Sequence, residues 1–489
     1  MKHLLKAILI LSFCWNAQAQ NAPQPYGAIP AERQMRWHEM EMYGLVHFGL
    51  NTYQDKEWGY GDGDPKLFNP EQFDAEQIVK AAKSGGLKGL ILVAKHHDGF
   101  ALWPTKTTEY NISKSPFRDG KGDMVREFEQ ACRKHGMKFG LYCSPWDRNA
   151  KDYGRPEYID LYRTQWTELY KNYGELFASW HDGANGGDGF YGGAKEARKI
   201  DRTTYYGWNN FWSEFTRKLQ PNAVIFSDIG LDIRWVGNEK GFANETHWAT
   251  FTPTGPKGEP NPGPGFANDH ESPTGNRDGK FWIPAECDVP LRPSWFYHKA
   301  QDEKVKTPAQ LLDIYFKSVG RGADLDLGLA PDQRGLLHEN DVKSLAEFGA
   351  ILQQIFSVNF AQSAKIKASN VRGKEFSPSN LLDADRYSYW ATDDNITTPE
   401  VIFTLKKSVS FNVIRLRENI KLGQRIEAFA VDAWQDGDWK EIANTTSIGA
   451  NRLIKLPSKI TTGKVRLRIT KSPVCVALSD FGLFLIEVR

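Results

Sequence analysis

Beyond its first twenty residues the chain has no run approaching the ~20 uninterrupted apolar residues that a bilayer-spanning helix needs, so a membrane-inserted protein is not indicated. An excess of one charge is missing too. Lys+Arg number 62 and Asp+Glu 60, which leaves no general field to gather nucleic acid or an anionic membrane surface. Cysteine is scarce, five in 489 residues, and Cys132, Cys143, Cys287 and Cys475 stand far apart without C-x-x-C spacing. That argues against a structural zinc site and against a disulfide scaffold, while leaving room for one isolated bridge in an exported chain. Internal repeats and low-complexity tracts are also absent.

What is present begins with a leader. Lys2 and His3 precede the apolar run Leu4–Trp15 and the small-residue site Ala17-Gln18-Ala19, the pattern of a secretory signal peptide over residues 1–19. Bulky Phe13 before Cys14 speaks against lipoprotein processing, so a soluble exported product, periplasmic or extracellular, is expected. The remainder is rich in Trp (16) and Tyr (18). Aromatic faces stack on the C–H faces of sugar rings, although core packing is the plainer account of this richness taken alone.

Two textures divide the mature chain. From about 40 to 350, short apolar runs alternate with stretches whose apolar residues recur at three- and four-residue spacing. The runs are Tyr43–Phe48, Gly89–Ala94, Lys138–Cys143, Leu176–Trp180, Ala223–Ser227, Phe281–Pro284 and Ala323–Leu329. The helical stretches are Glu71–Ser84, Met124–His135, Tyr158–Tyr173, Gly207–Leu219 and Pro308–Val319, with Asn340–Phe356 closing the region. Strands alternating with helices predict an α/β fold with a parallel sheet. Seven or eight units over this length fit a (β/α)8-like barrel (TIM-type) better than an open doubly wound sheet. Residues 251–280, crowded with Gly, Pro, Asn and Asp, read either as an insertion bordering the active-site mouth or as a disordered surface loop. After about 358 only β-rich runs separated by turn residues occur, predicting a β-sandwich. The expected division is 1–19 signal peptide, 20–358 barrel and 359–489 sandwich.

Polar residues gather where the predicted strands end: His47; His96-His97-Asp98; Tyr142 with Trp146-Asp147; Trp180-His181-Asp182. In barrel enzymes that rim builds the active site. Asp182, followed by Gly183 at a strand tip, is the rigidly held carboxylate a glycosidase needs beside an anomeric carbon, although a turn-capping role would suit the residue alone. Tandem His96-His97 suggests metal at first. Neighbours on a strand point to opposite faces, however, and no further ligand stands at zinc spacing, so hydrogen bonding to hydroxyls is the better reading.

Tyr43-Gly44-Leu45-Val46-His47-Phe48-Gly49, Glu57-Trp58, Lys95–Phe100 and Trp180-His181-Asp182-Gly183 occur in the order of glycoside hydrolase family 29, the α-L-fucosidases, which the chain resembles over roughly residues 30–350. The resemblance implies a retaining exo-hydrolase without metal or other cofactor, with Asp182 as nucleophile. It implies a sugar pocket of His47, Glu57, Trp58, His96, His97, Tyr142 and Trp180. Retention needs a second carboxyl about 5 Å away. Ile233-Arg234-Trp235-Val236-Gly237-Asn238-Glu239 resembles the acid/base segment of the branch restricted to α-1,3/1,4 linkages, which nominates Glu239. Glu286, in Trp282–Asp288, is its rival or else a supporting carboxylate, and Trp295 is a further candidate wall. Two departures from the family pattern, Phe48 and His181, fall on positions read as loosely constrained.

Ser379–Asp385 and Tyr389-Trp390-Ala391 resemble discoidin-like (F5/8 type C) modules, which implies either a packing domain or a sugar-binding one, with a structural calcium as an option. The leading expectation is an exo-α-1,3/1,4-L-fucosidase acting on fucosylated, Lewis-type glycans. A barrel glycosidase for another sugar and a non-catalytic glycan-binding protein are the alternatives. The partner is a fucosylated glycan, with no nucleic acid, no membrane insertion and no assigned oligomeric state.

Overall fold

The computed structural model describes residues 21–183, 187–200, 215–227, 231–255, 257–260 and 268–487. The leader 1–19 and residues 207–214 of the expected fourth helix lie outside the described residues.

Eight parallel strands succeed one another around a barrel: β1 (Met42–Val46), β2 (Gly89–Lys95), β3 (Lys138–Cys143), β4 (Ala178–Trp180), β5 (Val224–Phe226), β6 (Arg234–Trp235), β7 (Ala285–Pro290) and β8 (Asp324–Leu329). The ladder runs β5-β4-β3-β2-β1-β8-β7-β6, and a single parallel bridge between Phe226 and Ile233 brings its ends together. The period-2 alternation of strands sorts the side chains into two layers. Tyr43, Leu45, Ile91, Val93, Trp180 and Phe226 fill the interior, while Met42, Val46, Leu90, Leu92, Leu141 and Ile225 lie under the outer helices. Burial of both faces is why these strands read as continuous apolar runs.

Helices Ala75–Ser84, Met124–Lys134, Tyr158–Asn172, Pro308–Lys317 and Glu339–Phe356 cover the outside. Asp74 and Asp123 cap the first two by accepting backbone N–H bonds, and Thr307 with Gln310 forms a capping box on the fourth.

Two strands differ from expectation. Phe281–Trp282 is not a barrel strand; it pairs antiparallel with Thr250–Phe251 at the base of the insertion. The barrel strand is its successor, Ala-Glu-Cys-Asp-Val-Pro, whose acidic residues turn inward and hide the apolar pattern. The two-residue strand Arg234–Trp235 was not foreseen as a strand, being too short to show a period.

The C-terminal region holds seven antiparallel strands: β9 (Lys365–Ala368), β10 (Trp390–Ala391), β11 (Glu400–Glu418), β12 (Ala428–Gln435), β13 (Asp438–Thr446), β14 (Arg452–Lys471) and β15 (Ala477–Phe484). Runs that look separate in sequence, Val401–Leu405 and Val413–Arg417, are one strand broken by register shifts. This sheet has its own core around Phe403, Phe429 and Phe481. It is also tied to the barrel. Val413, Leu453 and Phe484 join the barrel's outer core, and Glu41 pairs with Arg386 and Arg417. Gln424 accepts from the Ala249 N–H and donates to the His247 carbonyl.

The four described cysteines are free and buried. Among the described residues no helix is long and apolar enough to cross a membrane.

Candidate active site

A cavity of about 1020 Å³ opens at the C-terminal ends of the barrel strands. Asp182, two residues past β4, stands on its wall. The Tyr142 hydroxyl, from the neighbouring strand, donates to Asp182 Oδ2 at 2.6 Å, and His97 Nε2 lies 3.6 Å from the same oxygen. The hydrogen bond from Tyr142 fixes the direction of the carboxylate.

His47, His96 and His97 converge on this pocket. Burial holds His47 down to about 3 and the other two well below the usual imidazole range, so all three are neutral, each with one donor and one acceptor. The tandem pair does not split to opposite faces as strand geometry predicts. β2 ends at Lys95, so both rings sit in the turn beyond it, with centroids 4.0 Å apart. His97 Nδ1 lies 2.7 Å from the Ser144 hydroxyl. The aromatic walls are Trp180, stacked on Phe226 at 4.0 Å, Trp295, 5.0 Å from His47, and Trp58, which is 53% exposed.

The remaining candidates separate by what they touch. Glu57 lines the pocket, yet its carboxylate is occupied by the backbone N–H groups of Trp295 (3.1 Å) and Phe296 (3.0 Å) and by His298 Nε2 (2.8 Å). It therefore organises the loop that carries Trp295. Glu286 does not line the pocket. It is buried beneath the floor, where Tyr43 donates to one oxygen and Trp180 Nε1 to the other at 2.8 Å, and burial pushes its carboxyl up to about 7. Glu239 lines the pocket from the loop after β6, exposed, with no hydrogen-bond or ion-pair partner among the described residues.

Among the lining residues that the sequence did not single out are Trp235 and Asp288, which bond each other at 2.8 Å through the indole N–H. Asp288 stands two residues from Glu286, so strand alternation places both on one face; that spacing was the available signal. The two family departures are not loosely constrained. Phe48 is buried among Tyr53, Phe68 and Phe73. His181 is buried between Tyr162 and Ser179, turned away from the pocket. The described residues of the 251–280 insertion do not line the pocket; Ser272 instead accepts from Arg234 through its carbonyl. Among the described residues no group of three or more His, Cys, Asp or Glu side chains could hold a metal.

A histidine- and tryptophan-walled pocket with a strand-tip aspartate suits a sugar, and comparison with known proteins decides which. The α-L-fucosidase family profile matches residues 18–355, and the F5/8 type C domain profile matches 365–479. The chain belongs to the α-L-fucosidase family.

The fucosidase is thus a glycoside hydrolase. It is 38% identical to alpha-L-fucosidase 1 of Arabidopsis thaliana over 488 residues, covering 98% of this chain and 92% of that one. Among solved structures it resembles a glycoside hydrolase 29 family member from an unknown rumen bacterium (TM-score 0.83, 38% identity, 95% and 79% of the two chains). It also resembles a Ruminococcus gnavus fucosidase in complex with fucose (TM-score 0.84, 29% identity, 96% and 97%).

Proposed function

We propose that the fucosidase is a retaining exo-enzyme that removes terminal α-1,3/1,4-linked fucose from Lewis-type glycans, with Asp182 as nucleophile and Glu239 as acid/base. The observation that carries the reading is the pairing, on one pocket wall system, of a tightly held carboxylate with an unengaged one. Asp182 is gripped by Tyr142, while Glu239 is free to exchange a proton with a leaving oxygen. Asp182 attacks the anomeric carbon as Glu239 protonates the departing glycosidic oxygen. Glu239 then takes a proton from water, which displaces Asp182 and returns fucose with its α configuration. Neutral His47, His96 and His97 supply hydrogen bonds to the sugar hydroxyls, and Trp58, Trp180 and Trp295 its apolar walls. Glu286, bonded twice beneath the floor, supports Trp180. The linkage preference rests on the Ile233–Glu239 segment.

The test is fucose release from a Lewis-type trisaccharide by wild type, Asp182→Ala and Glu239→Ala, with NMR of the first-formed anomer. Release by wild type alone, as the α-anomer, is expected. Release by Glu239→Ala at the wild-type rate, or initial β-L-fucose, overturns the assignment.

The leader supports export, and N-terminal sequencing of the mature protein should begin at Gln20. The reading is metal-independent catalysis, for which dialysis against EDTA leaves kcat unchanged. A fall in Tm on that treatment would reveal a calcium in the C-terminal domain.

A further inference from the structure

We propose that Asp288 is a positioning residue that holds Trp235, and through it the loop presenting Glu239, in register with the pocket; the inference rests on the acid/base role given to Glu239.

The loop after β6 is fastened to β7 and the helix beyond it at several points. The Val236 N–H donates to the Glu286 carbonyl at 2.9 Å, and the Ala243 N–H to the Lys317 carbonyl at 3.0 Å. Between these, Gly241 sits at φ +74°, so close to the barrel that an added Cβ would stand 2.9 Å from both Val289 and Ile314. Only glycine combines that backbone conformation with that approach. These are backbone fastenings. Among the described residues, the side-chain bond that crosses from β6 to β7 is the one from Trp235 Nε1 to Asp288 Oδ1, 2.8 Å, four residues before Glu239. Glu239 itself bonds to nothing described, so its direction is set wholly by how its loop is held.

An aspartate is a costly choice for a place that is 5% exposed unless its hydrogen bond is needed. Burial, with Glu286 and Glu239 nearby, pushes the Asp288 carboxyl well above the carboxylate range. Its Oδ1 accepts from the indole N–H, a role that an asparagine carbonyl can fill.

The experiment compares two substrates. A Lewis-type trisaccharide has a poor leaving group that needs protonation, whereas 4-nitrophenyl α-L-fucoside has one that leaves largely unaided. Asp288→Ala should lower kcat/KM, which reports the step in which the leaving group departs, about 10- to 100-fold on the trisaccharide and less than about threefold on the aryl fucoside. Trp235→Phe should do the same, and the double variant should be no worse than either, because the two residues share one bond. Asp288→Asn should restore the trisaccharide rate to within about threefold of wild type. Equal losses on both substrates, additive single effects, or failure of Asp288→Asn to restore would overturn the proposal. Should Asp288→Ala not fold, Trp235→Phe carries the same comparison. Glu239→Ala run alongside separates the two readings. If it lacks the leaving-group dependence, the acid/base assignment falls and this inference with it; if it has the dependence and Asp288→Ala does not, only this inference falls.

Discussion

The Tyr142 hydroxyl donates to Asp182 Oδ2 at 2.6 Å. Tyr142→Phe removes that donor without changing the ring's contact with Trp180, 5.0 Å away. Loss of a hydrogen bond to a charged group corresponds to about 10- to 100-fold in rate, so kcat/KM should fall by that factor while the circular dichroism spectrum stays unchanged. Glu286 should behave differently from Glu239. Its two oxygens accept from two donors, Tyr43 and Trp180, and the amide of Glu286→Gln can accept from only one of them. The disturbed floor should cost about tenfold on activated and unactivated fucosides alike, a pattern that steady-state assays on both substrates will separate from acid loss.

At the scale of elements, the helix Glu339–Phe356 docks on the end of Ala75–Ser84 through Gly349, where an added Cβ would overlap the Ser84 carbonyl oxygen. Gly349→Ala should therefore destabilise by about 1–3 kcal/mol through overpacking, seen as a lower urea midpoint, with kcat per folded molecule unchanged. Elements also differ in how plainly the sequence declares them. β1 to β5 are apolar on both faces and stand out. β7 is missed because Glu286 and Asp288 occupy its inward positions, and β6 because two residues carry no period. The same acids that conceal β7 bond Trp180 and Trp235 from beneath and beside the pocket.

For the whole molecule, buried ionisable groups set the pH dependence of stability. Burial holds His38, His47 and His247 down to about 3, against about 6.5 when unfolded. Between those values the unfolded chain binds more protons, so their contribution is lost as pH falls from 6.5 towards 3. Burial pushes Glu286 and Glu418 up to about 7 and Asp324 and Asp326 well above the usual range. There the native state binds more protons, so stability is lost as pH rises from about 4.5 through 7 and beyond. Tm should be highest between about pH 4.5 and 6.5 and decline on both sides in a calorimetric pH series. Asp326→Asn, which cannot ionise, should lessen the alkaline decline. The sheet domain shares Val413, Leu453 and Phe484 with the barrel's outer core. One calorimetric transition for both domains is therefore expected, and two would show that they unfold separately.

The sequence by itself determined the alternation of strand and helix, the strand-tip position of Asp182 and the histidines around it, because a period and a chain position are local properties. Its resemblance to the family also nominated Glu239, with Glu286 as its rival or a supporting carboxylate. Tertiary structure adds how each carboxylate is engaged, since that depends on which donors reach it from across the barrel. Tyr43 and Trp180, 243 and 106 residues away, engage Glu286 beneath the floor, while no described group engages Glu239. Asp288 and Trp235 belong to the same class of fact, since their bond joins residues 53 apart that only the pairing of β6 with β7 brings within reach.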